Sequence, residues 1–288
     1  MKKTSKICAI IIVICIALIA IFTANTQISK RNLARNLAEI KTGDIICLGK
    51  STSKDNFDGR WVVLDSTHTN TGDEGIFLAS VNAVGNFDGT TILFKDIGDI
   101  TVSFEDRGQS YAEAHPGTTD YQTSDIKTYC DTFLKNNFTE SEQNALIATY
   151  KSDDAISIQG PTLSEGKAPS VDFDEATDVL NGDKIFLLSA EEMSNSDYGF
   201  NTDEDRIATY KGEAKGYFLR SPHSPSFPLD VGFVFQNGKV MDYPVNGKSM
   251  FTMDTYARVA CNLDINQIKS LDKSSDKDGK TVWNVSVK

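Results

Sequence analysis

The chain has 288 residues and a formal net charge of −11, from 29 Lys and Arg against 40 Asp and Glu. Three of the basic residues precede residue 7, so the chain after residue 24 holds 26 basic and 40 acidic residues, a net charge of −14. This excess of acid argues against nucleic-acid binding, which requires a basic surface, and against electrostatic adhesion to anionic lipid.

The N-terminal segment predicts a membrane anchor. Three lysines precede an uncharged apolar run from Ile7 to Phe22, which extends through Ala24 to 18 residues. As a helix this run is about 27 Å long, close to the roughly 30 Å of a bilayer hydrocarbon core. A cleaved signal peptide is the alternative, although Phe22 stands where cleavage sites prefer a small residue. Residues 1–27 are therefore interpreted as an anchor or signal peptide.

Basic residues flank the apolar run on both sides, which weakens the prediction of its orientation. They follow the run at Lys30, Arg31, Arg35 and Lys41. The near balance of charge leaves an inverted, cytoplasmic topology open, with the extracytoplasmic one expected. The basic segment 28–41 is predicted to be a stalk, and 42–288 a single domain.

Short apolar runs separated by Gly, Asp and Asn predict a protein rich in β-strands. The predicted strands are 44–48, 61–65, 75–80, 184–189, 216–220, 231–235, 239–243, 257–263 and 281–287. Asn237-Gly238 lies between two of these runs and is a strong hairpin signal. Residues 82–122 form an irregular insertion, with one candidate hairpin of 90–95 against 100–105.

Helices are predicted in the middle of the chain. Ser124 is a candidate N-cap for a helix that ends at Asn136-Asn137, with one apolar face formed by Ile126, Tyr129, Cys130, Phe133 and Leu134. A capping box at Thr139 and Glu142 predicts a second helix to about Tyr150, and Ser189 with Glu192 predicts a short third. Residues 151–182 are interpreted as a long surface connection. The fold class is therefore α+β, mostly antiparallel.

Several segments occur together in an order that is typical of one protein family. These are Trp61–Asp65, Phe77–Ser80, Ser124–Tyr129, Phe138, Glu142, Lys184–Glu192, Arg206, Tyr217–Pro222, Gly238 and Tyr256–Leu263. The series resembles domain-of-unknown-function family 6273 of bacterial surface and secreted proteins, over roughly residues 42–264. The resemblance implies a loop-rich fold like that of C-type lectins and formylglycine-generating enzymes. The chain departs from the family in its long segment Val81–Thr123, and in Ala260-Cys261 where Pro-Ala is common.

Two arginines in predicted strands are candidate anion-binding residues or structural residues. Arg220 precedes Ser221 and Pro222, and Arg258 lies inside the closing strand. A guanidinium can bind an anion through two parallel hydrogen bonds. A buried arginine instead requires a partner, for which carboxylates such as Glu192 or Asp230 are candidates. The structural interpretation is preferred for both arginines, and also for Ser221, Pro222 and Trp61.

Candidate ligand-binding residues are Arg206, His223 and Asp230, which are predicted to mark the loop-rich face. No catalytic residue, metal ligand or cofactor is expected, because H-E-x-x-H, Walker A, G-x-G-x-x-G and G-x-S-x-G motifs are absent from the sequence. Residues 274–279 resemble half an EF-hand loop but lack its acidic first position. A hairpin turn explains this segment better.

Outside the apolar run the cysteines are Cys47, Cys130 and Cys261, which allow at most one disulfide. All three have apolar neighbours and are predicted to be buried, so an enzyme with paired reactive cysteines is a minor alternative. The predicted function is a membrane-tethered, extracytoplasmic ligand- or partner-binding domain of the bacterial envelope. A structural or assembly protein that docks through the 82–122 insertion is the other alternative.

Overall fold

The computed structural model describes residues 23, 27–50, 56–85, 121–159, 170–173, 179–222, 230–244, 255–276 and 279–288. The apolar run, apart from Thr23, lies outside these residues, as do the candidate hairpin at 90–105 and His223. Within the described part of the chain, no helix combines the length and the apolar composition that crossing a membrane requires.

The described elements include four α-helices and sixteen strands. The helices are α1 (27–39), α2 (Asp125–Asn137), α3 (Glu140–Ala145) and α4 (Ala190–Ser194). The strands are β1 (Ile45–Cys47), β2 (Arg60–Asp65), β3 (Ile76–Ser80), β4 (Thr149–Lys151), β5 (Ile156–Gln159), β6 (Ser170–Phe173), β7 (Leu180–Asp183), β8 (Phe186–Leu187), β9 (Ala208–Tyr210), β10 (Glu213–Pro222), β11 (Asp230–Val234), β12 (Val240–Pro244), β13 (Thr255–Ala257), β14 (Val259–Leu263), β15 (Ile268–Ser275) and β16 (Thr281–Val287).

The larger sheet has seven strands in the order β15-β16-β1-β2-β3-β14-β8. Its C-terminal strand β16 lies parallel to β1, with Ile46 opposite Trp283, and the other pairs in this sheet are antiparallel. The sheet therefore combines strands from the beginning, middle and end of the described chain. Gly279, two residues before Thr281, lies between the paired strands β15 and β16 and has a backbone φ of 77°.

The smaller sheet has the order β12-β11-β10-β13, and β9 also pairs with β10. β13 lies parallel to β10, and β9 and β11 lie antiparallel to it. The two sheets meet where the backbone N–H of Arg220 in β10 donates to the Leu188 carbonyl, just after β8, at 3.0 Å. Two further two-stranded pairs are β4–β7 and β5–β6. The expected mixed, sheet-rich and mostly antiparallel class is confirmed.

The predicted caps of the central helices are confirmed. The side chain of Ser124 accepts from the N–H of Lys127 at the start of α2. Complete capping boxes form at Thr139 with Glu142 and at Ser189 with Glu192. The hairpin at Asn237-Gly238 also forms, as β11 pairs with β12.

Two predicted boundaries are wrong. The helix expected to reach Tyr150 ends at Ala145, because Leu146 forms a β-bridge with Leu263 and β4 then pairs with β7. The expected surface connection at 151–182 instead contains β5, β6 and β7, and it buries Val171 and Phe173. In both places pairing with distant strands overrides the local pattern.

A single cluster of buried apolar residues extends across both sheets. Trp61 and Trp283, the two tryptophans of the chain, are both fully buried in it. The Trp61 ring packs edge-on against Phe57 at 5.3 Å and lies 6.0 Å from Phe138, between centroids. Its Nε1–H donates to the Leu48 carbonyl at 2.9 Å, so the expected structural role of Trp61 agrees with its contacts.

Candidate functional site

A buried group of charges lies where the two sheets meet. We call Lys151, Asp153, Glu192 and Arg220 the ion cluster. The side chains of Arg220, Asp153 and Glu192 are 0%, 1% and 2% exposed, and that of Lys151 is 15% exposed. With two positive and two negative groups, the ion cluster is formally neutral. This balance is what allows so many charges to be buried together.

Arg220 is at the centre of the ion cluster. Its Nη1 donates to Glu192 Oε2 at 2.7 Å and to the Leu187 carbonyl at 2.6 Å. Its Nη2 donates to Asp153 Oδ2. The guanidinium also lies 5.8 Å from the centroid of the Phe186 ring. Both guanidinium Nη atoms are thus bonded to groups of the protein, and the predicted Glu192 partner is confirmed.

Glu192 has two roles, because it completes the capping box of α4 and also belongs to the ion cluster. Its Oε2 accepts from the Ser189 N–H at 2.9 Å, and its Oε1 accepts from Asn70 Nδ2 at 2.6 Å. Burial alone would raise the pKa of Glu192, but the charge and hydrogen bond of Arg220 outweigh burial and hold the pKa below its ordinary value. The carboxylate is therefore ionised at neutral pH. It acts as an acceptor rather than as an acid.

A chain of amides extends the polar contacts into the large sheet. Asn262 in β14 is fully buried and donates from Nδ2 to Asn70 Oδ1 at 2.7 Å and to Thr149 Oγ1 at 2.9 Å. Toward the surface, Lys151 pairs with Asp153 and contacts Glu191 Oε2 at 3.2 Å. The polar network thus connects β4, β10, β14 and α4, and its members bond to one another.

Arg258 is buried in a different environment. It is 5% exposed, and its Nε donates to the Ser80 carbonyl at 3.1 Å. Its Nη1 donates to the Tyr217 hydroxyl at 3.3 Å, and its guanidinium lies 5.6 Å and 5.8 Å from the Phe200 and Tyr217 ring centroids. The expected carboxylate partner is not among these described contacts. Carbonyl dipoles and aromatic faces stabilise this cation instead.

Arg206 connects a surface turn to this second arginine. Its Nε donates to the Met193 carbonyl at 2.8 Å, and its Nη1 donates to Asp203 Oδ1 at 3.0 Å. Its own carbonyl accepts from the Tyr217 hydroxyl at 2.6 Å and from Arg258 Nη1 at 3.4 Å. Arg206 therefore stabilises the turn at Asp203.

The structure does not bring Arg206 together with Asp230. Arg206 lies beside Tyr217, which pairs with Val234 at the end of β11, whereas Asp230 begins that strand. Four residues of strand separate the two positions, about 13 Å. Asp230 instead lies opposite Pro244. A ligand-binding role for Arg206, His223 and Asp230 stays a prediction, since Arg206 and Asp230 lie toward opposite ends of β11 and His223 lies outside the described residues.

Ser221 and Gly238 both have packing roles. Ser221 is buried, and its Oγ accepts from the Ala190 N–H at the start of α4 at 2.9 Å. Gly238 has a φ of +82°, and a Cβ there would lie 1.6 Å from the Asp203 carbonyl oxygen. Glycine is required here because its φ is positive and because the hairpin turn packs directly on the backbone of Asp203, which leaves no room for a side chain. Pro222 ends β10, opposite Val231.

The three cysteines of the domain carry free thiols. Burial raises the pKa of Cys130 to about 12, and burial likewise raises the pKa of Cys261 and of the half-buried Cys47. The hydroxyl of Tyr121 donates to Cys130 Sγ at 3.6 Å. Such thiols remain protonated at neutral pH and are poor nucleophiles.

Sequence reasoning missed several members of the polar network. Asp153 and Lys151 fall at the start of the segment interpreted as a surface connection, and Asn70 lies in a polar turn. Asn262 offered the one local signal, because an amide inside an apolar strand requires a partner. Neither spacing nor periodicity identifies which distant residue supplies that partner.

Comparison with known families identifies the chain. A family model described as "Domain of unknown function (DUF6273)" matches residues 88–265, more than half of the chain. The chain belongs to the DUF6273 family. No curated protein and no solved structure matches it. The likeness to C-type lectins and formylglycine-generating enzymes therefore stays a prediction.

The DUF6273 match does not coincide with a structural unit. It contains β4 to β14, whereas β1 to β3 and β15 to β16 lie outside it. Yet β14 pairs along its length with β3, from Ala260 opposite Ala79 to Leu263 opposite Ile76. The strands before and after the matched residues thus complete the sheet to which the DUF6273 segment contributes.

Proposed function

We propose that this DUF6273 protein is a membrane-tethered, extracytoplasmic binding domain of the bacterial cell envelope and has no catalytic activity. The proposal rests on the pairing of the charges within the ion cluster. Arg220, Asp153 and Glu192 are buried and bonded to one another rather than directed toward solvent. Groups arranged in this way stabilise a scaffold and are unsuited to proton transfer with a substrate.

The thiols support the same proposal. An enzyme of the formylglycine-generating type requires reactive cysteines, whereas burial raises the pKa of Cys130 and Cys261. The apolar run supports the tether, since its 18 residues suffice for one membrane crossing. A tether raises the local concentration of a binding domain at its target, which is an advantage for a protein that displays a surface.

We place the ligand-binding surface at one end of the smaller sheet. β10 ends there at Pro222, and β11 starts there at Asp230, which lies opposite Pro244 at the end of β12. Three strand ends therefore lie side by side at one end of the smaller sheet. Loops that leave the ends of strands commonly carry binding residues on a rigid scaffold. Arg206 lies at the other end of β11, where it supports the fold.

Glycan arrays and pull-downs with the detergent-solubilised full chain test this proposal. We expect saturable binding to an envelope polysaccharide, weakened in a His223→Ala and Asp230→Ala double variant. Lys211→Ala is the matched control, because Lys211 is exposed in the turn between β9 and β10, away from the strand ends. Capture of a single protein partner instead would favour an assembly role. Unchanged binding by the double variant would contradict the placement of the surface.

A further inference from the structure

α1 joins the apolar run to the domain. Its first described residue, Gln27, follows Ala24 after only two intervening residues, a span of at most about 11 Å. The headgroup layer of each leaflet is about 5–8 Å thick. If the run crosses a bilayer, as the proposed function requires, the first turns of α1 therefore lie in or beside the headgroups.

α1 is fixed to the domain along one face. Leu33 and Leu37 pack against the core, and Asn36 Nδ2 donates to the Leu271 carbonyl of β15 at 2.7 Å. At the end of the helix, Glu39 pairs with Lys273 of β15 at 3.0 Å. The segment predicted to be a stalk is thus attached to the edge of the larger sheet.

The opposite face of α1 is exposed and carries Arg31 and Arg35, of which Arg35 Nε lies 4.0 Å from Glu39 Oε1 at the end of the helix. Ile28, Arg31 and Arg35 follow the i, i+3, i+7 spacing that places side chains on one helix face. At 100° per residue this face lies roughly opposite Leu33 and Leu37. All three residues are exposed, Ile28 by 55% and the Arg35 side chain by 69%.

We propose that this face of α1 binds the phosphate groups of anionic phospholipids in the bilayer that holds the tether. Arg31 and Arg35 supply donors that match phosphate oxygens, and Ile28 supplies an apolar group at the membrane-proximal end. The net charge of −14 opposes adhesion of the whole domain, so the contact depends on the tether. Beyond a Debye length of about 8–10 Å, the remaining charges are screened.

This contact would determine the orientation of the domain. Because α1 lies along β15, phospholipid binding places the β15–β16 edge nearest the membrane. The smaller sheet adjoins β8, which is the strand at the opposite edge of the larger sheet from β15. The smaller sheet, which carries the proposed ligand-binding surface, would then be separated from the bilayer by the larger sheet.

Amide hydrogen exchange of the full chain in nanodiscs tests the inference. We expect residues 27–35 to exchange about tenfold more slowly in discs with 30% phosphatidylglycerol than in phosphatidylcholine alone, since each basic residue near an anionic surface favours the bound state several-fold. The Arg31→Glu and Arg35→Glu double variant should lose the difference. A Lys135→Glu and Lys211→Glu variant, with the same charge change on exposed residues elsewhere, should retain it.

Three outcomes overturn the inference, and they are distinguishable. Equal exchange in both lipids by a chain that enters the nanodiscs excludes phosphate binding by α1 but leaves the tethered binding domain intact. A chain that does not enter nanodiscs, and elutes without lipid, contradicts the tether and the inference together. Protection that persists in the Arg31 and Arg35 variant also excludes a role for these two side chains.

Discussion

Replacing Arg220 tests whether the ion cluster holds the two sheets together. In Arg220→Met the side chain keeps a similar length but loses its charge, so Glu192 and Asp153 share only Lys151. A buried net negative charge results. Removing one partner of a buried ion pair costs about 3–5 kcal/mol, a large part of the roughly 5–15 kcal/mol that stabilises a domain. The equilibrium constant for unfolding should rise by about a hundredfold to several-thousandfold.

Urea unfolding of the full chain in nonionic detergent measures this loss. The fluorescence of Trp61 and Trp283 reports unfolding, because both tryptophans are fully buried. Arg60→Met is the matched control. Its pair with Asp276 at 2.7 Å is partly exposed, by 32% and 14%, and should contribute less than about 1 kcal/mol.

A double variant separates the charge pair from general packing. Arg220→Met with Glu192→Gln leaves Lys151 and Asp153 as a neutral pair. The double variant should therefore be more stable than the sum of the two single losses implies, by about 0.5–3 kcal/mol. An Arg220→Met variant that unfolds at the wild-type urea concentration, or strictly additive losses, would refute the assigned role of the ion cluster.

Three further predictions concern backbone, pH and thiols. Gly238→Ala should destabilise the fold by more than about 2 kcal/mol in urea unfolding, whereas Gly212→Ala, with a similar φ but nothing within 4 Å of its Cβ, should cost only about 1 kcal/mol. Because the folded pKa of Glu192 is lowered, its contribution is complete above its ordinary pKa of about 4.5 and is lost as pH falls through the lowered value. Stability should then fall more steeply below about pH 4.5 in the wild type than in Glu192→Gln, and equal slopes would contradict this. Maleimide at pH 7 should label Cys130 and Cys261 only after unfolding, and mass spectrometry that finds native labelling would exclude buried thiols.

Local signals in the sequence predicted the local structure well. The caps at Ser124, Thr139 and Ser189 depend on side chains within three residues of the backbone N–H that they bind. The turn at Asn237-Gly238 likewise depends on the glycine in its centre. Such features need no information about distant parts of the chain, which is why reading along the sequence finds them.

Features that depend on distant residues were missed. Strand β15 was not predicted, because its mostly polar and exposed residues do not alternate with apolar ones. It forms a strand because it pairs with β16. Asp153 was assigned to a surface connection, although it binds Arg220 67 residues away. Arg258 was expected to have a carboxylate partner, whereas its contacts are carbonyls, a hydroxyl and aromatic rings. A buried charge predicts that a partner exists but not which chemical group supplies it.

The central claim is a binding domain held on the extracytoplasmic side of the membrane by a tether. An epitope tag after Lys288, which is exposed at the end of the described chain, tests it on intact cells with added protease. We predict that protease removes the tag from intact cells while a cytoplasmic marker protein survives. A tag that stays protected until the cytoplasmic membrane itself is permeabilised would place the domain in the cytoplasm and contradict the proposal.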